Sequence, residues 1–227
     1  DATADVLAAY SGPLDVSVIT HRINRGLGES VRDLFEFAAE TSGAGDVIVR
    51  MDCDDTHEPQ YIPALVARLN DGFDVVIASR FAPGGGQEGV SPRRAFVSKG
   101  ANMFMRSVFP VPGLREYSSG FRAYRAEVIH EAIATYGNNF IQLKGLGFTC
   151  TLEKVVKLHL LGARFGEVPF VLQYDQKASD SKMVGSVTTL GYLTMAVLYH
   201  WPSGGWRASM RRRSVRRDQP NDSIVAV

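Results

Sequence analysis

Cysteine is scarce in this chain of 227 residues: Cys53 and Cys150 are the only two, far apart and without a C-x-x-C spacing. That excludes a disulfide framework and a zinc site built on cysteine pairs, and it suits a reducing cytoplasm. Net charge is scarce too, at +1. The body lacks the basic face or motif that nucleic acid requires, so nucleic acid is not expected as a partner. Long charge-free runs are almost absent. One, residues 184–201, is barely long enough to span a bilayer, and Thr, Ser and Gly interrupt it. No internal repeat is visible. The charge that exists is unevenly placed: residues 202–227 carry six Arg against Asp218 and Asp222, or +4, which leaves −3 for the rest.

What is present is ample apolar material, 45% of the residues, enough for the core of one domain. The run Asp46-Val-Ile-Val-Arg-Met51 predicts a buried central strand leading into Asp52-Cys53-Asp54. Strand alternation points Asp52 and Asp54 the same way and Cys53 back. Two carboxylates on one face repel unless a cation lies between them. Hard oxygen ligands favour Mg²⁺ or Mn²⁺. The pattern from Tyr61 to Leu69 predicts a helix, Asn70-Asp-Gly72 a stop, and Asp74 to Arg80 a second buried strand. Strand, acidic loop, helix and strand make a βαβ unit, hence an α/β fold. Open α/β sheets bind ligands at the carboxyl ends of their strands, where this acidic loop falls.

The remaining elements follow from periodicity. Val16 to Ile19 predicts a strand, and Gly28 to Ser42 a helix with Val31, Leu34, Phe35 and Ala38 inward. The Gly-rich stretch from Pro83 to Pro92 predicts a mobile lid. Ser98 to Phe109 predicts a helix with Ala101, Phe104, Met105 and Val108 inward, and Ala123 to Tyr136 and Gln142 to Leu161 two more. Gly166 to Tyr174 predicts an edge strand.

Seven short motifs carry a resemblance. Asn24-Arg-Gly-Leu-Gly28, Gly45-Asp46, Met51-Asp-Cys-Asp54, His57-Glu-Pro59, Ser79-Arg80, Tyr117-Ser-Ser-Gly-Phe-Arg122 and Glu167-Val-Pro169 occur in the order and spacing of the family 2 glycosyltransferases. Within that family the chain resembles the dolichyl- or polyprenyl-phosphate sugar synthases, from about residue 1 to residue 182. The resemblance implies a GT-A-type, Rossmann-like mixed sheet flanked by helices. Asp1-Ala-Thr-Ala-Asp5 resembles the end of the family's nucleotide-contacting segment, so the first strands of the family fold are expected to be missing. Asp1 would be a donor contact.

The resemblance also assigns roles. Asp52 and Asp54 would hold Mg²⁺ or Mn²⁺ on a nucleotide-sugar diphosphate, with Asp55 as a third or outer ligand. Arg80, Arg93 or Arg94, Lys177, Ser181 and Lys182 would bind phosphates, although Ser179 stands where the family has Gly. Arg122 is expected to brace the fold; His57 is expected to close over the acidic loop or to cap the helix after it. Glu116, at a position where the family is acidic, would be the base for a hydroxyl acceptor. A phosphate acceptor is already anionic and needs none.

Three segments result: a glycosyltransferase domain over 1–182, an apolar membrane-associated helix over 183–201, and a basic tail over 202–227 expected to be disordered. Tyr199, His200 and Trp201 resemble interfacial anchors, and the tail's Arg residues would meet an anionic membrane surface. The alternative is a core helix. The expected activity is inverting hexose transfer from a nucleotide-sugar to a polyprenyl phosphate, by a cytoplasmic enzyme peripheral to a membrane's cytoplasmic face. The alternatives are a hydroxyl acceptor and a non-catalytic fragment.

Overall fold

The computed structural model describes residues 2–174, 185–201 and 205–206. A short helix α1 (Thr3–Ala8) precedes residues 9–26, which form no helix or strand. Then follow α2 (Leu27–Thr41), β1 (Val47–Arg50), a 3-10 turn running into α3 (Ile62–Asn70), and β2 (Val75–Ser79). The middle of the chain contributes β3 (Gly86–Glu88), α4 (Pro92–Val108), β4 (Arg122–Arg125) and α5 (Ala126–Tyr136). The last elements are α6 (Thr149–Leu161), β5 (Phe165–Pro169), β6 (Val171–Gln173) and α7 (Gly185–His200).

Four strands form a mixed sheet in the order β1-β4-β2-β5. β4 is antiparallel to both neighbours, whereas β2 and β5 are parallel. β1 and β2 are therefore the parallel pair of the expected βαβ unit, with β4 inserted between them. β2 is buried along its whole length and divides the core by alternation. Val75 and Ile77 face the layer of α2, α5, α6 and α7, with Phe35, Tyr124 and Phe140. Val76 and Ala78 face α3, with Leu65, Leu69 and Phe170. The fold is a mixed sheet with helices on both faces, as the resemblance implied.

Several expectations are corrected. Val16, Val18 and Ile19 are exposed and pair with no strand among the described residues, so their apolar character alone does not make a strand. β1 is an edge strand and only half-buried. Residues 122–125 are strand rather than the start of a helix, and α6 begins at Thr149 rather than Gln142. The Gly-rich lid contains β3, which pairs in parallel with β6 and is thereby tied down. Leu34 and Phe104, expected inward, are exposed.

The helix over 183–201 is present as α7, and Tyr192, Met195 and Tyr199 bury one face of it against the body. That face behaves as the alternative core helix. Among the described residues no helix is long and apolar enough to cross a membrane.

Candidate active site

The pairing directions bring the carboxyl ends of β1, β2 and β5 to one edge of the sheet, together with the start of β4. The acidic loop, Arg80 and the Tyr117–Arg122 segment all gather there.

β1 ends at Arg50, and residues 53–57 form a succession of bends rather than extended chain. Strand alternation therefore does not reach Asp52 and Asp54. Asp52 Oδ1 accepts a hydrogen bond from Arg50 Nη2 at 2.7 Å. Asp54 Oδ1 accepts from the Thr56 backbone N–H at 3.4 Å, an Asx-type turn, and from the Thr56 hydroxyl at 2.5 Å. Asp55 is the only non-glycine residue with positive φ, at 63°, among the described residues, and it is exposed. The expected trio Asp52, Asp54 and Asp55 is thus not assembled: no group of three His, Cys, Asp or Glu placed to hold an ion occurs among the described residues.

His57 bonds to the acidic loop and does not cap the helix after it. Its Nδ1 accepts the backbone N–H of Asp52 at 2.9 Å, and its ring stacks on Phe121 with centroids 5.1 Å apart. Burial pushes its pKa down, against the pull of the Asp52 carboxylate. The imidazole is therefore neutral, with its proton on Nε2. Asp52, Asp54, Arg50 and Arg80 all lie within electrostatic reach of it, which groups the carboxylates with two cations.

Arg80 is fixed by Glu116, whose two oxygens accept from Nε at 2.8 Å and Nη2 at 2.9 Å. Glu116 is completely buried and also accepts from the backbone N–H groups of Ser118 and Ser119. Burial alone would raise its carboxyl, but the charge and hydrogen bonds of Arg80 outweigh that and hold it below the ordinary value. A buried, low-pKa carboxylate clamped to a guanidinium suits an arm that orients Arg80. It does not suit a base reaching an acceptor hydroxyl, so that expectation is corrected.

Arg94 lies over the Tyr174 ring at 4.6 Å, which ties the start of α4 to the end of β6. Arg93, one residue earlier, is exposed. Arg122 is fully buried and donates to the carbonyls of Ser119, Thr151 and Tyr117, the bracing role expected of it. Asp1, Lys177, Ser181 and Lys182 lie outside the described residues.

Sequence reasoning missed Arg50, Thr56 and Lys154. The D-x-T spacing of an Asx turn was a readable signal for Thr56; for Lys154 there was none. Lys154 on α6 is wholly buried, its Nζ lies 4.7 Å from the Phe35 ring, and it has no hydrogen-bond partner among the described residues. Burial, reinforced by Arg50, drives its pKa well below the ordinary lysine value.

A family model described as Glycosyl transferase family 2 matches residues 1–132. The chain belongs to glycosyl transferase family 2. Among curated relatives, it is 31% identical over 194 residues to the Dolichol-phosphate mannosyltransferase of Pyrococcus furiosus, covering 85% of this chain and 50% of that protein. It is 29% identical over 170 residues to the Undecaprenyl-phosphate mannosyltransferase of Micrococcus luteus, covering 74% of this chain and 65% of the relative. It is 34% identical over 130 residues to the Polyprenol monophosphomannose synthase of Mycolicibacterium smegmatis, covering 57% and 48%. The chain thus spans between about half and about two thirds of these family 2 relatives.

Proposed function

We propose that this family 2 protein transfers a hexose, mannose on the strength of its relatives' names, from a nucleotide-sugar to a polyprenyl phosphate with inversion at the anomeric carbon. The observation that carries this reading is the sheet edge where Asp52 and Asp54 stand in one electrostatic neighbourhood with an Arg80 held rigid by Glu116. One oxygen of the acceptor phosphate forms the new bond to the anomeric carbon. The bond from that carbon to the donor diphosphate breaks, and the electron pair leaves with the diphosphate. No covalent enzyme intermediate forms.

Arg80 is pre-oriented before substrate arrives, so its charge is available to a phosphate without reorganisation. Arg94 would serve a second phosphate at the start of α4. The acceptor is ionised near neutral pH, so the burial of Glu116 is no obstacle; that same burial disfavours the hydroxyl-acceptor alternative.

The donor set fits a hard divalent ion held by one or two carboxylates plus substrate phosphates, the usual manner of Mg²⁺. Asp52 and Asp54 would hold Mg²⁺ or Mn²⁺, which when bound would offset charge on the leaving diphosphate. Peripheral placement at a cytoplasmic membrane face accompanies a lipid acceptor in this reading.

The test is Asp54→Asn. It should cut turnover by at least about two orders of magnitude, roughly 2.7 kcal/mol in the barrier, while circular dichroism and melting temperature stay unchanged. Undiminished turnover across a divalent-metal titration of that variant would sink the role given to the acidic loop.

A further inference from the structure

Arg50 ends β1 with a charge on the inner side of the sheet. Strand alternation sends its side chain to the face of Ile48, which packs on the layer of α2, α5, α6 and α7. Only 11% of that side chain is exposed. Directly across the ladder stands Arg122, its antiparallel partner, so two like charges occupy opposite positions, an arrangement that destabilises a sheet. Lys154 on α6 lies within electrostatic reach of both. Packing therefore gives no reason for a cation at residue 50.

The reason lies in the acidic loop. Arg122 spends its guanidinium on three carbonyls, whereas Arg50 turns past the end of its strand to Asp52. Its Nη2 donates to Asp52 Oδ1 at 2.7 Å, and among the described residues it pairs with no other carboxylate. The fork is seated against Gly120, where a Cβ would fall 1.6 Å from Nη1 and 2.7 Å from Cζ. A bare backbone at that point of the Tyr117–Arg122 segment leaves the guanidinium its path to the loop.

That bond changes what the loop offers an ion. Asp52 and Asp54 bring −2 and Arg50 returns +1, which leaves −1, while the charge of Arg80 is already matched by Glu116. Two neighbouring carboxylates call for a cation, and Arg50 supplies one from within the chain. A divalent ion taken up by Asp52 would share that carboxylate with a guanidinium, and repulsion between the two costs more in a half-buried setting than in water. A diphosphate brings negative charge of its own, so an ion carried by one escapes most of that repulsion.

We infer that Arg50 is a built-in counterion of Asp52 that weakens the loop's hold on a bare divalent ion. It is a positioning residue, acting through Asp52 rather than on substrate. The inference deepens the role proposed above for Asp52 and Asp54 and rests on that reading.

The experiment is titration of the full chain with Mn²⁺ alone, the free ion being read by its electron paramagnetic resonance signal and the fold of each variant by circular dichroism. Arg50→Met should bind Mn²⁺ at least about tenfold more tightly than wild type, because the repulsion is gone. Arg50→Gln, which keeps a donor for Asp52 without the charge, should show the same gain and carries the test where the Met variant folds poorly. Arg50→Lys, which keeps the charge, should bind as wild type. Adding Asp54→Asn to either uncharged variant should abolish the gain. Unchanged or weaker binding by the uncharged variants would overturn the inference, since Arg50 would then orient Asp52 for the ion rather than oppose it. An equal gain in Arg50→Lys would overturn it as well, by removing charge as the cause. A gain that survives Asp54→Asn would place the ion elsewhere, and the proposed role of the acidic loop would fall together with the inference.

Discussion

Glu116 and Arg80 show how a single pair can be misjudged from sequence and still be informative. An acidic residue where the resembling family is acidic suggested a base, whereas burial and two hydrogen bonds make it the partner that orients a cation. Glu116→Gln should destabilise the protein by about 3–5 kcal/mol, the cost of leaving a buried charge unpaired, as read by chemical denaturation. The carboxyl is held below its ordinary value of 4.5 in the folded state. Its stabilising contribution is therefore complete above that value and is lost as pH falls through the lower, folded pKa. Wild-type stability should drop in this acidic window, and the variant should show a shallower drop there.

Lys154 has the opposite sign. Folding strips water from its amine without supplying a hydrogen-bond partner among the described residues, and the folded pKa lies well below the ordinary 10.5. At neutral pH the unfolded chain binds a proton that the native state resists, so stability rises as pH increases toward the ordinary value. Lys154→Met keeps the volume and removes the uncompensated amine. It should raise stability by about 1–3 kcal/mol, with a higher melting temperature at pH 7. A lower one would mean that the amine has a role in the fold beyond filling space.

At the scale of elements, what was legible depended on how local the signal was. β2 is legible because all five residues are buried and apolar or small, and α3 because its periodicity and stop signal lie within the twelve residues from Tyr61 to Gly72. The acidic loop was found for a sound reason, its place at the end of β1, but its side-chain geometry differs from the expected alternation because the strand ends at Arg50, before either carboxylate. β4 was read as helix because its identity comes from antiparallel insertion between β1 and β2, a nonlocal fact that Arg122-Ala-Tyr-Arg125 does not encode in its own pattern. In α4, Met105 is buried and Ala101 and Val108 pack against the core as expected, whereas apolar Phe104 is exposed. The buried amide of Asn102 outweighed it.

The Asn24–Gly28 motif gains a structural reason as well. Gly26 has φ 83° at the start of α2, and Gly28 lies against the backbone of Lys144 with no room for a Cβ. Gly28→Ala should cost about 1–3 kcal/mol through overpacking, visible as a lower denaturation midpoint with little change in the slope.

For the whole molecule, one sheet edge assembles carboxylates and oriented cations. Family membership rests on the sequence match over residues 1–132 and the mixed sheet agrees with it, while the transfer reaction is this account's central claim. The most direct test is a product assay with a short-chain, detergent-soluble polyprenyl phosphate and a panel of nucleotide-hexoses, the product's anomeric configuration being read by proton NMR. The account predicts a polyprenyl phosphohexose, with mannose preferred, inverted relative to the donor and absent when Asp54→Asn replaces the wild type. A product of retained configuration, or sugar transferred only to hydroxyl acceptors, would contradict it.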